Sequence, residues 1–149
     1  MSFQTFFFVT MLTIGSLGSA AYGQVASPFG PEQAEFDQNM KDVLFDFDTH
    51  ETVVNEGVLQ SNAHWLKDHP DVHFYINGYT DDRGDVVYNL VLAQKRAETV
   101  KSELINLGIP AERMTLTVGW GELYPSCTEQ TESCWEPNRR VHFVYIPAH

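Results

Sequence analysis

The sequence predicts an α/β (α+β) two-layer sandwich in which a mixed sheet has its helices on one face. Short segments with alternating apolar and polar residues indicate strands, and longer segments with apolar residues at helical spacing indicate helices. The segments follow one another in the order β-α-β-α-β-β, which favours right-handed crossovers and helices packed on the sheet. Because the strands alternate, the other face of the sheet is expected to be partly open to water.

The first half of the predicted domain contains two strands and a helix. Alternation over residues 43–47 predicts the first strand, and apolar residues at helical spacing over 58–66 predict a helix that Pro70 closes. Residues 72–76 alternate again and predict a second strand that ends at Gly78.

The second half begins with the longest predicted helix. Its apolar stripe consists of Leu90, Ala93, Ala97, Val100, Leu104 and Leu107. Gly108 follows as the residue expected just beyond the helix end. Residues 114–118 predict a third strand, and residues 140–146 predict a fourth, after a loop that contains both cysteines.

The first 23 residues resemble a secretory signal peptide, because they contain no charged side chain and an apolar run, Phe6–Ile14, precedes small residues. Ala21 and Gly23 predict cleavage before Gln24. The alternative is an uncleaved membrane anchor, but a spanning helix needs about 20 apolar residues. Residues 24–39, which are rich in Pro and Gly, are expected to form a tether before a domain over 40–149.

Charge and cysteines restrict the function further. The net charge of −11 argues against nucleic acid and against anionic lipid headgroups as partners. Export favours a disulfide between Cys127 and Cys134, whereas a zinc site would need two more ligands, with only His142 near in sequence. Since no Cys lies near the predicted cleavage point, no lipid anchor is expected there.

Polar residues around the second strand suggest a ligand site. The turn 79–84 follows that strand, and ligands in α/β folds collect where strands end and helices begin. We expect the first and second strands to be neighbours, which would bring together Asp48, Asp81, Asp82, Arg83, Asn89 and Arg96. A site with both carboxylates and a guanidinium suits a zwitterion, because an ammonium pairs with a carboxylate and a carboxylate pairs with Arg.

The run Gly78-Tyr79-Thr80-Asp81-Asp82-Arg83-Gly84 resembles the signature of the OmpA-like family. Further matching segments are Tyr88-Asn89-Leu90, Arg96-Ala97, Gly108-Ile109, Gly121-Glu122 and Asn138-Arg139-Arg140-Val141. The likeness extends over about residues 42–146. The family includes the peptidoglycan-associated lipoprotein, from which this chain departs by lacking a lipidated Cys near the predicted cut.

The resemblance implies a periplasmic domain that binds peptidoglycan through the meso-diaminopimelate residue of the stem peptide, with no cofactor and no catalysis. In this sequence Asp81 would receive the ammonium and Arg96 the carboxylate. The other implied ligand-binding positions are Asp48, Asn89, Thr80, Asp82 and Leu90. Arg139 and Arg140 are expected to support the site from behind by pairing with surface acids such as Glu122, and Trp120 and Trp135 to pack in the core or in loops.

Three other functions are compatible with the same residues. Asp48 and Asp81 could form the acid and base pair of a glycoside hydrolase, and the same fold could dock a protein of a periplasmic envelope complex. A calcium site could use Asp46, Asp48, Asp81 and Asp82, although no loop has the spacing of a known calcium motif.

Overall fold

A computed structural model of the chain describes residues 30–51 and 55–148. The predicted signal peptide and the first part of the predicted tether lie outside these residues. The elements in chain order are α1 Gly30–Asn39, β1 Val43–Leu44, α2 Glu56–Asp68, β2 His73–Gly78, α3 Val86–Asn106, β3 Met114–Gly119, α4 Glu132–Asn138 and β4 Arg140–Ile146. A single 3₁₀ turn, Ala111–Arg113, precedes β3. No helix in the described part of the chain is long and apolar enough to cross a membrane.

The four strands form one mixed sheet in the order β1-β4-β2-β3. β2 pairs with β3 in parallel and with β4 in antiparallel orientation, and β4 also pairs with β1. The predicted two-layer α+β class is therefore confirmed. The expectation that the first two strands are neighbours is wrong, because β4 lies between them and offers a backbone edge to each.

The alternation along β2 and β4 separates the two faces of the sheet as predicted. Phe74 and Ile76 of β2, with Val141, Phe143 and Tyr145 of β4, point into the core. The residues between them are exposed or half-buried, so the other face is partly open to water. The core lies between this sheet and the helices, where Leu66 of α2 and Val100 and Leu104 of α3 are also fully buried.

Residues 30–39 are not a tether, since they form helix α1 against the core. Phe36 is fully buried, and its ring lies 5.8 Å from that of Trp65, 6.2 Å from that of Phe74 and 5.5 Å from that of Tyr145. Met40, four residues further on, is also buried. Local sequence has no strong period here because few side chains hold the helix to the domain, namely Phe36 in the core and Glu32 and Glu35 in polar contacts with Tyr145 and His69.

Helix α3 is the predicted long helix and is positioned by two glycines of the sheet. Gly78 and Gly119 face each other in adjacent strands, and a Cβ atom at either position would overlap the backbone of α3. The helix can therefore lie close to the strand ends. Gly108 has a φ of +92° just after α3, as the sequence predicted, and this left-handed conformation favours glycine.

The segment between β3 and β4 contains a short helix that the sequence did not predict. Helix α4 includes Pro137 and Cys134. Cys134 forms a disulfide with Cys127, which confirms the predicted bridge. The side chain of Asn138 accepts hydrogen bonds from the backbone N–H groups of Ser126 and Cys127 and donates one to the Cys127 carbonyl. The bridge and this amide connect α4 to the preceding loop.

Candidate functional site

A pocket of about 240 Å³ opens where β2 ends and α3 begins. Its lining residues are Phe47, Asp48, Thr80, Asp81, Arg83, Gly84, Tyr88, Asn89, Leu92 and Arg96. The structure thus brings together five of the seven predicted ligand-binding residues, which come from the turns after β1 and β2 and from one face of α3. The short β1 allows this, since the chain turns back at Asp48, whose φ is +54°.

Arg96 forms the floor of the pocket and is fully buried. Its guanidinium donates hydrogen bonds of 2.8–2.9 Å to the backbone carbonyls of Thr49, Tyr79 and Asp46. Within the described chain, no carboxylate oxygen lies within 4.0 Å of it. Burial lowers the pKa of Arg96 to about 10, so the group remains a cation at neutral pH. Three of its five N–H donors are used, which leaves capacity for a ligand.

Asp81 is the buried acid of the pocket and is held by two arginines. It accepts hydrogen bonds from the backbone N–H, Nε and Nη2 of Arg83, the last at 2.6 Å, and from Nη1 of Arg139 at 3.2 Å. Burial alone would raise the pKa of this carboxyl, but these hydrogen bonds and the arginine charges outweigh burial and lower the pKa. A carboxylate has about four acceptor sites, and here all of them are used.

Asp48 lies at the exposed rim of the same pocket. One of its carboxylate oxygens accepts a hydrogen bond from the Tyr88 hydroxyl, which raises the pKa of that phenol. Unlike Asp81, Asp48 has no ion pair with an arginine or lysine in the described part of the chain. It therefore retains acceptor capacity towards the pocket.

Thr80 and Asn89 complete the polar lining. Thr80 is buried, and its hydroxyl has no hydrogen-bond partner among the described residues. An unpaired buried hydroxyl costs free energy, so a ligand atom at this position would be favoured. The Asn89 amide donates to the Arg83 carbonyl at 3.2 Å and to Oε2 of Glu122 at 2.7 Å. It fixes the 81–84 turn onto the start of α3.

Two predicted pocket residues lie elsewhere. Asp82 points away from the pocket, where its carboxylate accepts from Gln130 Nε2 and from Trp135 Nε1. Leu90 is half-buried, and its backbone packs against Gly121. The family resemblance placed Asp82 in the pocket, but hydrogen bonds from Gln130 and Trp135 hold its carboxylate on the side of the turn that faces residues 127–138.

The supporting arginines also differ from expectation. Neither pairs with Glu122, which binds Asn89 instead. Arg139 is buried and bonds to Asp81 and, at 2.6 Å, to Oε1 of Glu132. Arg140 lies outside the pocket, over the Tyr79 ring and 3.6 Å from Oδ2 of Asp42. Support from behind therefore comes from Arg139.

Sequence reasoning missed the aromatic part of the site. The Arg83 guanidinium lies between the rings of Phe47 and Trp135, at 3.9 Å and 4.1 Å from their centroids. Trp135, expected to pack in the core or a loop, is therefore part of the wall that holds Arg83. At the start of α3, the backbone N–H groups of Val87 and Tyr88 already donate hydrogen bonds to the Asp85 side chain. The only local signal for Arg83 was its position in the 79–84 turn.

Comparison with known proteins identifies the family. The sequence profile described as the OmpA family matches residues 44–139. The chain therefore belongs to the OmpA family. The peptidoglycan-associated lipoprotein of Agrobacterium fabrum is 34% identical over 129 residues, which cover 85% of this chain and 72% of that protein. The Haemophilus influenzae protein of the same name is 33% identical over 132 residues, which cover 87% and 86%.

Solved structures agree with this assignment. The crystal structure of the peptidoglycan-associated lipoprotein from Burkholderia pseudomallei has a TM-score of 0.66 at 40% identity and covers 71% of this chain and 90% of that one. The C-terminal domain of Helicobacter pylori MotB has a TM-score of 0.65 at 21% identity, with 72% and 85% covered, and shows the fold alone.

Family membership bears on the enzyme alternative, and the described structure bears on the metal-site alternative. The similar proteins are named for association with peptidoglycan, and membership of this family makes the chain a non-catalytic protein. In the described ranges, no group of three or more His, Cys, Asp or Glu side chains is arranged to hold a metal ion.

Proposed function

We propose that this OmpA-family domain binds peptidoglycan in the periplasm by enclosing the zwitterionic end of the meso-diaminopimelate side chain. The observation that supports the proposal is a buried cation, Arg96, that has no carboxylate partner among the described residues and shares one pocket with two carboxylates, Asp48 and Asp81. A pocket that holds both signs of charge is complementary to a group that ends in an ammonium and a carboxylate.

The ligand carboxylate is assigned to Arg96. Its guanidinium is already fixed by three backbone carbonyls, so little conformational entropy is lost when a ligand binds. The Thr80 hydroxyl, which lines the same pocket, is available for a further hydrogen bond to the ligand. A desolvated cation without a carboxylate partner gains more from a carboxylate than an exposed one does.

The ligand ammonium is assigned to the acidic side of the pocket, at Asp81 with Asp48. Because the acceptor sites of Asp81 are used, the ammonium has to take the place of one hydrogen bond from Arg83. The Arg83 guanidinium remains held between Phe47 and Trp135 when this happens. Asp48, at the rim, supplies the second negative charge.

Co-sedimentation tests the proposal most directly. The chain from residue 24 to residue 149 is incubated with purified sacculi of the diaminopimelate type. In parallel it is incubated with sacculi of the lysine type, which lack the side-chain carboxylate. We expect selective pelleting with the diaminopimelate type, and loss of that pelleting for Arg96→Met. Equal pelleting with both types would contradict recognition of diaminopimelate, while absence of pelleting with either would contradict wall binding itself.

A further inference from the structure

The disulfide segment, defined here as residues 127–138, contacts the candidate site from outside the pocket. Trp135 Nε1 donates to Oδ1 of Asp82 at 2.9 Å, and Gln130 donates to the other oxygen of the same carboxylate. The Trp135 ring also packs on the Arg83 guanidinium. The turn that supplies Asp81 to the pocket is therefore held by the segment at both of the residues that follow Asp81.

The segment also contacts Arg139, the second arginine that holds Asp81. Glu132 accepts a 2.6 Å hydrogen bond from Nη2 of Arg139, while Nη1 of the same guanidinium contacts Asp81. Oε2 of Glu132 lies 3.7 Å from Nη2 of Arg83. Both arginines that hold Asp81 are thus bonded to, or packed against, this one segment.

The segment depends on its own cross-links for its shape. Helix α4 has seven residues, contains Pro137 and has no side-chain hydrogen bond at its N-cap, Thr131. A helix this short is not stable alone. It is fixed by the Cys127–Cys134 disulfide, by the buried Cys134 side chain and by Asn138.

We propose that the disulfide segment is a positioning element of the ligand site, so that affinity for diaminopimelate depends on the Cys127–Cys134 bridge. The bridge fixes α4, α4 fixes Trp135 and Glu132, and these fix Asp82, Arg83 and Arg139 around Asp81. None of the disulfide-segment side chains lines the pocket. The inference rests on the proposed function, because it concerns the affinity of that same site.

Two sets of variants test the inference in the exported chain. The first is Cys127→Ser with Cys134→Ser, which opens the bridge. The second keeps the bridge and compares Trp135→Phe, which retains a ring for Arg83 but not the bond to Asp82, with Trp135→Leu, which retains neither. Trp120→Leu is the matched control, since Trp120 makes an edge-to-face contact with Tyr124 and does not line the pocket.

Calorimetry with a soluble stem tripeptide that ends in meso-diaminopimelate gives the dissociation constant of each variant. We expect about tenfold weaker binding without the bridge and for Trp135→Leu, by analogy with the about 10- to 100-fold effect of partners that orient metal ligands. Trp135→Phe should recover part of the loss, and Trp120→Leu should bind as the parent does. A merely structural role would not produce rescue by the ring alone.

The outcomes separate the two proposals. If the parent chain does not bind the tripeptide, the proposed function fails and this inference with it. If the parent binds, and the bridge-free chain and Trp135→Leu bind equally well while far-ultraviolet circular dichroism shows them folded, the inference alone is wrong. If the bridge-free chain unfolds, the Trp135 pair gives the answer, because its disulfide is intact.

Discussion

Arg96 and Arg113 are buried arginines that bond to backbone carbonyls at opposite ends of the domain. Each is buried, at 0% and 5% exposure, and each donates three hydrogen bonds to backbone carbonyls. Burial lowers the pKa of both guanidinium groups. Judged by burial, bonding and pKa alone, the two residues would be assigned the same role.

They differ in what lies on their remaining side. Arg113 donates hydrogen bonds to the carbonyls of Leu66, His69 and Val72 at and just beyond the C-terminal end of α2. The helix dipole favours a cation at this end. Arg96 joins the turns after β1 and β2, and its guanidinium lines an open pocket that also holds two carboxylates. A buried, fixed arginine is therefore evidence of function only where it faces a cavity with complementary charge.

Arg96→Met should have the largest effect, because it removes both the structural bonds and the proposed ligand contact. Truncating one partner of a desolvated charge pair costs about 2–5 kcal/mol, so binding of the tripeptide should weaken roughly 30-fold to several thousandfold. Urea unfolding should show a loss of about 2–4 kcal/mol from the three carbonyls left without donors. Calorimetry showing less than about threefold weaker binding in a folded variant would remove Arg96 from the site.

Arg113→Met is the matched substitution at the other end. It leaves three buried carbonyls without donors, so the free energy of unfolding should fall by about 2–4 kcal/mol, as for Arg96→Met. At a temperature where the variant is folded, its dissociation constant for the tripeptide should equal that of the parent. A comparable loss of affinity would mean that Arg96→Met weakens binding through lost stability. The assignment of different roles to the two arginines would then be wrong.

The same contrast explains how much of the molecule was predictable. β2, α3 and β4 have many apolar residues at a regular period, so local sequence predicted them closely. α1 depends on buried Phe36 and on polar contacts of Glu32 and Glu35, and α4 depends on a disulfide and on Asn138. Such elements are specified by tertiary contacts and have no period of their own. The position of β4 between β1 and β2 is likewise a property of the whole sheet.

For the site, the family motif predicted which residues meet but not how they are paired. Asp81, Arg96 and Asn89 lie in the pocket as expected. The partners of Asp81 come from the adjacent Arg83 and the distant Arg139, and no spacing rule links residues 58 positions apart. The contact of Trp135 with Arg83 was hidden for the same reason.

Asp81→Asn should have the next largest effect. The amide cannot balance two guanidinium groups, so we expect stability to fall by about 2–3 kcal/mol and tripeptide binding to weaken at least about 30-fold. Glu132→Gln is the control for stability, because Glu132 pairs with the same Arg139 while its side chain is 62% exposed, and exposed pairs contribute at most about 1 kcal/mol. Similar losses of unfolding free energy for both variants in urea would contradict a special role for the buried acid.

The pH dependence of stability should follow Asp81 in a defined direction. The pKa of Asp81 is lowered from 3.8 in the folded state, so its stabilising contribution is present above that value and is lost as pH falls through the folded pKa. Between about pH 5 and pH 8 this group should produce no change. Urea unfolding of the parent and of Asp81→Asn at matched pH values checks this, since their difference in stability should shrink only below about pH 4.

Asp48→Asn should have the smallest effect and the most selective one. Asp48 is exposed and bonds only to the Tyr88 hydroxyl among the described side chains, so its loss should leave the free energy of unfolding within about 0.5 kcal/mol of the parent. Its charge, however, faces the pocket, and an exposed charge opposite a ligand ammonium contributes about 1 kcal/mol, or roughly fivefold in affinity. A tripeptide whose side-chain amine is acetylated should bind the parent and Asp48→Asn equally. If the variant still weakens binding of the acetylated peptide fivefold, Asp48 acts on something other than the ammonium.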